Sequence, residues 1–239
     1  MSDPIVILGA TGGVGAALAR TLAARGADLH LIGRDGAALA ALATELGARH
    51  AMADVTDDAG LTAAIAAAGP RIAGLAYCVG SIVMKPLKRA TVADFADTYA
   101  LNVIGAARAV AAAEGGLRAT GGAVVLFSSV AARAGFPNHT VIGSAKAAVE
   151  GLAIALAAEL APVRVNCIAP SLSRTKMAAG LTGNEAMAKA IAAQHPIPRL
   201  GEAEDSAALA AFLLSADAGW ITGQIIGVDG GRGILRTKP

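Results

Sequence analysis

The N-terminal stretch of residues 5–20 constrains the fold more than any other part of this chain. An apolar run at residues 5–8 leads into a segment with glycine at positions 9, 12, 13 and 15, and then into helix-forming residues. This order predicts a short buried strand, a tight turn and the first turns of a helix. In a parallel α/β sheet, such a turn presents backbone N–H groups and the positive end of a helix dipole to a phosphate group. The stretch therefore predicts a phosphate-binding turn.

Strand and helix patterns alternate along the rest of the 239 residues. Among the predicted helices are one over residues 92–117, capped by Thr91, and one over residues 141–160. Crossovers of this length predict a parallel sheet with helices on both faces, which is an α/β, doubly wound Rossmann-type domain formed by residues 1–239. The more polar, proline-dotted residues 171–201 predict a lid over a substrate. The predicted strands, about seven in number, are residues 5–8, 28–32, 49–53, 72–79, 123–127, 162–168 and 224–228.

Composition excludes several classes of protein. Apolar residues make up 55% of the chain, which excludes a disordered protein, and a net charge of +2 gives no reason to expect nucleic acid as a partner. Cys78 and Cys167 form no metal or redox motif, so we expect reduced thiols and no metal site. No signal peptide and no apolar run of roughly 20 residues is visible, so we expect a cytoplasmic protein that does not enter a membrane.

The context of the glycine turn predicts that the phosphate belongs to a dinucleotide, because a second strand follows about 15 residues later. The end of that strand discriminates between the two nicotinamide cofactors. Arg34 offers a planar cation for a 2′-phosphate, which favours NADP, and Asp35 is explained as a helix cap. In the alternative interpretation, Arg34 is a solvated loop residue and Asp35 binds the ribose of NAD.

Motifs along nearly the whole chain resemble those of the short-chain dehydrogenase/reductase family. The spacing of Gly9, Gly13 and Gly15 is that of the family's glycine motif, and residues 164–170 and 223–231 resemble its closing signatures. The resemblance implies an Asp54-Val55 pair at the adenine and a threonine, Thr175, at the nicotinamide carboxamide. The cofactor-binding residues that the sequence and this resemblance together indicate are Gly9, Thr11, Gly12, Gly13, Val14, Gly15, Arg34, Asp54, Val55, Gly80, Lys146, Pro170 and Thr175.

The same resemblance implies that Ser129, Lys146 and Asn102 are catalytic residues. A carbonyl that accepts a hydride must also be protonated, and the family uses a tyrosine four residues before the lysine for this purpose. Here that position is Ile142, which can neither donate nor accept a proton.

The segment of residues 136–146 is similar to the enoyl-acyl-carrier-protein reductase branch of the family. That branch places its tyrosine seven residues before the lysine, where this chain has His139. Seven residues are about two helical turns, so His139 can face the same cleft as Lys146 and orient or protonate the reacting group. In the alternative interpretation, His139 is an ordinary polar residue at the start of a helix.

Two functions follow from these residues. The first is an NADP(H)-dependent oxidoreductase that transfers a hydride to a small-molecule or acyl-thioester substrate, with enoyl or imine reduction favoured over ketone reduction because it demands less of a protein acid. The second is a redox-inactive NADP-binding sensor, scaffold or partner protein. The apolar surface of the helices over residues 92–117 and 141–160 predicts a homodimer or homotetramer, as in similar proteins.

Overall fold

A parallel sheet of seven strands forms the centre of the computed structural model, which describes residues 3–237. The strand order is β3-β2-β1-β4-β5-β6-β9, and every neighbouring pair is parallel. Strands β7 and β8 form a separate two-stranded sheet. The strands are β1 (Ile5–Leu8), β2 (Leu29–Gly33), β3 (Arg49–Met52), β4 (Gly74–Tyr77), β5 (Ala123–Phe127), β6 (Arg164–Pro170), β7 (Ser173–Arg174), β8 (Gly201–Glu202) and β9 (Ile225–Val228).

Helices cover both faces of the large sheet, as the sequence predicts. Successive strand residues point to opposite faces, so Ile7 packs in the core under α1, α2 and α9, whereas Leu8 packs in the core under α3, α5 and α6. Both side chains are fully buried. The α-helices are α1 (Gly13–Ala23), α2 (Gly36–Leu46), α3 (Asp58–Ala66), α4 (Val92–Tyr99), α5 (Gly105–Arg118), α6 (Thr140–Glu159), α7 (Ala179–Thr182), α8 (Glu185–Ala192) and α9 (Ala203–Leu214).

The strand order reverses between β1 and β4, which are neighbours in the sheet although β2 and β3 lie between them in the chain. In an open parallel sheet, the crevice at the carboxyl ends of the strands beside such a reversal is where ligands bind. The segments that follow β1, β4, β5 and β6 all leave the sheet at this edge. The topology therefore places the candidate site there.

The prediction of a single helix over residues 92–117 is wrong in one respect. The segment consists of α4, a π-helical turn (Ala100–Ile104) and α5. The start is as predicted: the Thr91 side chain accepts a hydrogen bond from the N–H of Asp94. In the π turn, the Leu101 carbonyl accepts a hydrogen bond from the Tyr77 hydroxyl, at 2.6 Å. Wide turns of this kind often occur at functional sites, and this one contains Asn102.

Helix α6 spans 20 residues and is long and apolar enough to cross a membrane by length and composition alone. Its Val149 and Ala153 are instead buried in the core cluster that includes Val165 and Cys167 of β6. A core helix of this kind passes the same test, so the composition of α6 is weak evidence for a membrane span. A cytoplasmic location stays a prediction.

Residues 171–201, the predicted lid, contain β7, a short 3₁₀ turn, α7 and α8. The segment is tied down at both ends, because β7 pairs with β8. Met177 and Leu181 face the cavity described below, whereas Met187 is 45% exposed and does not line it. The segment therefore contributes an apolar wall, and its role as a lid remains a prediction.

Candidate active site

A cavity of about 470 Å³ opens at the carboxyl edge of the sheet. Most of its walls are apolar, and no aspartate or glutamate is among the described residues that line it. Of the residues singled out in the sequence, the cavity brings together Val14, Gly80, Ser129, His139, Ile142, Lys146, Pro170 and Thr175. The predicted site residues outside the cavity lining are Gly9, Thr11, Gly12, Gly13, Gly15, Arg34, Asp54, Val55 and Asn102.

The glycine turn has a conformation that larger residues would disturb. Gly9 has a φ of +73°, and a Cβ on it would lie 2.9 Å from the Cys78 carbonyl oxygen. A Cβ on Gly15 would collide with the Gly9 carbonyl oxygen. Gly12 precedes α1, and no side chain caps this helix start in the described chain. The first N–H groups of α1 therefore remain available to an anion, as a dinucleotide pyrophosphate requires.

Thr175 contacts this turn from the segment that follows β7. A Cβ on Gly13 would lie 2.6 Å from the Thr175 methyl carbon. The glycine at this position thus permits residues 13 and 175, which are far apart in sequence, to meet at the start of α1. Two of the predicted cofactor-binding residues are brought into contact in this way.

The end of β2 agrees with the predicted cap. The Asp35 carboxylate accepts a hydrogen bond from the Ala38 N–H at 3.1 Å, so it is committed to the start of α2. Arg34 is 71% exposed, and its Nη1 lies 3.6 Å from Oδ2 of Asp54. Hydrogen bonds from Thr56 and the nearby Arg34 lower the pKa of the Asp54 carboxyl. A cation with an ionised partner therefore stands at the position where a 2′-phosphate is expected.

Lys146 is the most unusual charge in the site. Its side chain is buried, and Nζ donates a hydrogen bond to the Phe127 carbonyl oxygen at 2.9 Å. No carboxylate pairs with it in the described chain, and burial lowers its pKa from 10.5 to about 8. Because an ammonium group carries three donors, Lys146 retains hydrogen-bonding capacity toward the cavity.

Asn102 lies close to the same point. A Cβ on Gly80 would be 3.2 Å from both Asn102 Oδ1 and Lys146 Nζ. The Asn102 amide donates to the Thr98 carbonyl and to Ser81 Oγ, but its Oδ1 is buried and has no partner among residues 3–237. Lys146 lines the cavity and can donate to ligand hydroxyls there, whereas Asn102 is not among the lining residues. Lys146 therefore fits the ribose of a nicotinamide nucleotide.

Ser129 begins a short 3₁₀ turn at the end of β5, and its Oγ accepts a hydrogen bond from the Ala131 N–H at 3.2 Å. Its hydroxyl hydrogen therefore remains available to an oxygen atom in the cavity. The neighbouring Ser128 Oγ lies 3.0 Å from both the Lys146 carbonyl oxygen and Glu150 Oε1. Glu150 in turn pairs with Arg133 at 2.7 Å. The buried Ser128 and Glu150 thus fix the backbone of α6 at Lys146.

No tyrosine lines the cavity. Ile142 is buried in its wall, one helical turn before Lys146. The chain has two tyrosines, of which Tyr77 is buried with its hydroxyl bonded to Leu101, so that burial raises its pKa. Tyr99 lies on α4, outside the cavity lining. Neither tyrosine hydroxyl lies in the lining of the cavity.

His139 lines the cavity and precedes the first residue of α6. Its Nδ1 lies 2.7 Å from the Pro137 carbonyl oxygen. Since a carbonyl only accepts, Nδ1 carries a hydrogen, and the neutral ring then has a lone pair on Nε2. His139 can therefore orient a donor as the neutral ring, and it can give a proton from Nε2 only when the ring is protonated.

Sequence reasoning missed several residues of this site. Ser81, Ser128 and Glu150 carry no motif, and only their contacts reveal them. Arg232 also lines the cavity. A usable signal was present for this residue, because Arg232 follows the last strand closely and strand ends meet at one edge of a parallel sheet.

Comparison with known proteins extends the resemblance. The family described as enoyl-(acyl carrier protein) reductase matches residues 9–232. An inactive 2-(S)-hydroxypropyl-CoM dehydrogenase 2 from Xanthobacter autotrophicus is 38% identical over 227 residues, covering 90% of this chain and 98% of that protein.

Solved structures show the same similarity. A short-chain type dehydrogenase/reductase from Mycobacterium ulcerans superimposes with a TM-score of 0.93 at 32% identity, covering 99% of this chain and 91% of that one. ElxO with NADP bound superimposes with a TM-score of 0.89 at 25% identity, covering 97% of this chain and 99% of that one.

Proposed function

Because this chain belongs to the short-chain dehydrogenase/reductase family, we propose that it is an NADP(H)-dependent oxidoreductase that acts on a small or acyl-type substrate. When bound, NADPH would supply a hydride. We further propose that the acceptor is an activated double bond, as in an enoyl or imine group, because such an acceptor demands less of a protein acid than a ketone does. A plain carbonyl group is a less favoured acceptor for the same reason.

The observation that carries this proposal is the buried ammonium group of Lys146. Burying a charge without a counter-ion is costly, and the chain provides it with one carbonyl partner, that of Phe127. Beside it lies Asn102 Oδ1, a buried acceptor with no partner in residues 3–237. A nucleotide ribose in the cavity would accept hydrogen bonds from the Lys146 donors that the chain leaves free. ElxO, a structural neighbour, binds NADP.

Other residues would bind the remaining parts of the cofactor and the substrate. The N–H groups at the start of α1 would hold the pyrophosphate, Arg34 the 2′-phosphate, and Lys146 the ribose. Ser129 would donate its hydroxyl hydrogen to a substrate oxygen. Thr175 and Pro170 would bound the nicotinamide end of the cavity.

Cofactor choice is tested at Arg34. Replacing it with leucine is expected to weaken NADPH binding by about tenfold to a hundredfold, because charge-assisted hydrogen bonds to a phosphate are lost. NADH binding should change little. Arg25→Leu, which removes an exposed arginine at the end of α1, is the matched control in a fluorescence titration. Wild-type protein that binds NADH as tightly as NADPH would contradict the choice of NADP.

The role of His139 is tested by His139→Ala. If the ring orients or protonates the reacting group, turnover of the preferred substrate should fall by about a hundredfold, the scale of general acid catalysis, with NADPH binding unchanged. Full turnover in the variant would remove His139 from the mechanism and leave water or the substrate's own acid as the proton source.

The whole proposal is tested by NADPH titration followed by oxidation assays on enoyl thioesters, imines and ketones. Binding with turnover supports the enzyme. A second function, a redox-inactive NADP-binding sensor, scaffold or partner protein, is favoured by Ile142 and by the inactive dehydrogenase from Xanthobacter autotrophicus among the relatives. Tight binding without turnover on the panel supports that second function, and absence of binding overturns both.

We also propose that the protein forms a homodimer or homotetramer. Val92 on α4, Ile104 in the π turn and Ile154 on α6 are 88%, 57% and 53% exposed. Contiguous exposed apolar patches are typical of association surfaces, and α4 and the π turn both contact α6. A single-chain mass in light scattering would contradict this proposal.

A further inference from the structure

Arg232 is a second cation in the cavity, and the proposed hydride chemistry does not use it. It lies in the turn that follows β9, where the Asp229 carboxylate accepts hydrogen bonds from the N–H groups of Gly231 and Gly233, at 2.9 and 2.8 Å. Gly230 and Gly231 have φ values of +60° and +85°, which favour glycine. The turn is therefore built to a fixed shape, and it directs the Arg232 side chain to the cavity wall.

Neutral groups alone hold the Arg232 guanidinium. Its Cζ lies 4.7 Å from the centroid of the Phe136 ring, a cation–π contact. Its Nη2 donates to Gln194 Oε1 at 2.6 Å, and its Nη1 reaches Ser171 Oγ at 3.5 Å. Ser171 is itself fixed by His195, whose Nε2 lies 2.8 Å from its Oγ. These contacts orient the planar group without neutralising it.

No carboxylate pairs with Arg232 in the described part of the chain, in contrast to ten other basic side chains, which each have an acidic partner. Partial burial lowers the pKa of its guanidinium group, because solvation of the cation is lost. A partly buried cation in an apolar cavity attracts an anion more strongly than an exposed cation does, because less water screens it. The described cavity lining adds Lys146 to this positive field and contains no acidic residue.

We propose that Arg232 binds a carboxylate group of the substrate, so that the enzyme acts on a small aliphatic acid whose chain lies along the apolar wall. The planar guanidinium fork matches a carboxylate in a bidentate arrangement. A single cation with neutral neighbours suits a group of one negative charge, whereas a phosphate ester carries more charge than Arg232 alone balances. Leu172, Met177 and Leu181 supply apolar surface for the chain of the acid.

This inference rests on the proposed function for its cofactor, and its test separates the two. Calorimetric titrations of protein saturated with NADP use butanoate, pentanoate and hexanoate, each beside its primary amide, which has nearly the same shape without the charge. The acids are expected to bind about tenfold tighter than their amides. In Arg232→Gln, this preference should disappear through weaker binding of the acids alone, and Arg232→Lys should restore part of it. Arg236→Gln, at an exposed position four residues later and outside the cavity lining, is the matched control.

Equal affinity for acids and amides in the wild-type protein, or no measurable binding of the acids, would overturn the inference whether or not the variants fold. So would an equal loss for acids and amides in Arg232→Gln. If the preceding NADP titration itself shows no binding, the proposed function fails, and the acid-to-amide comparison on the protein without cofactor still tests Arg232.

Discussion

Replacing Ile142 with tyrosine is expected to raise the kcat/KM for ketone reduction by about a hundredfold, which is the lower end of the contribution of general acid catalysis. Ile142 lies in the cavity wall one helical turn before Lys146. A tyrosine there has room to extend into the cavity, and the nearby ammonium group would lower the pKa of its hydroxyl. The gain is expected whichever proton source the native chain uses.

Ile142→Phe is the matched control, because phenylalanine has the size of tyrosine without its hydroxyl. Ketone turnover in this variant should stay at the wild-type level. An equal rise in both variants would attribute the effect to packing. No rise in Ile142→Tyr, with NADPH binding intact, would show that position 142 is too far from the reacting atoms for proton transfer.

Replacing Lys146 with methionine is expected to weaken NADPH binding by about tenfold to a hundredfold and to change how stability depends on pH. Burial lowers the pKa of Lys146 to about 8 in the folded chain, against 10.5 for an ordinary lysine. Near pH 7, Lys146 is protonated in both the folded and the unfolded chain, and the folded chain bears the full free-energy cost of burying its charge. Above about pH 8 the unfolded chain binds more protons, so the free energy of unfolding rises with pH.

Through Lys146, the free energy of unfolding of the wild type should rise by about 2 kcal/mol between pH 7 and pH 9.5. Lys146→Met lacks it, so the stability of the variant relative to wild type should fall by that amount over the same range. Denaturant unfolding at several pH values measures the difference, and Lys189→Met, at an exposed position on α8, is the control. A difference that does not change with pH would mean that Lys146 keeps an ordinary pKa.

Some parts of the fold are predictable because short-range interactions determine them. The strand β1 and the turn after it need only the apolar run and the glycines of residues 5–15. The Asp35 cap depends on an N–H group three residues away. Periodicity also predicts which helices cover the sheet, since each strand and helix is a continuous pattern. Boundaries shift by a few residues where side chains from elsewhere take part, as at the predicted strand of residues 72–79, which is β4 (Gly74–Tyr77).

The π turn shows where this reasoning fails. The pattern over residues 92–117 is that of one helix, yet Tyr77 from β4 bonds to the Leu101 carbonyl. A Cβ at position 105 would collide with the Tyr77 hydroxyl, so glycine there allows the chain to pass. Tyr77, which precedes Leu101 by 24 positions, thus helps to set the backbone geometry beside Asn102. The local sequence pattern gives no sign of this contact.

The sequence by itself determined the α/β alternation, the glycine turn and the types of residue at the site, including the isoleucine at position 142. The tertiary structure alone decided the surroundings of the polar groups. It buried Lys146 without a carboxylate and left Asn102 Oδ1 without a partner in the described chain, and it placed Arg232 among the neutral groups of Phe136, Gln194 and Ser171. The reason is physical. Backbone preference and periodicity act over a few residues, whereas desolvation and ion pairing depend on neighbours that come together only after the chain has folded.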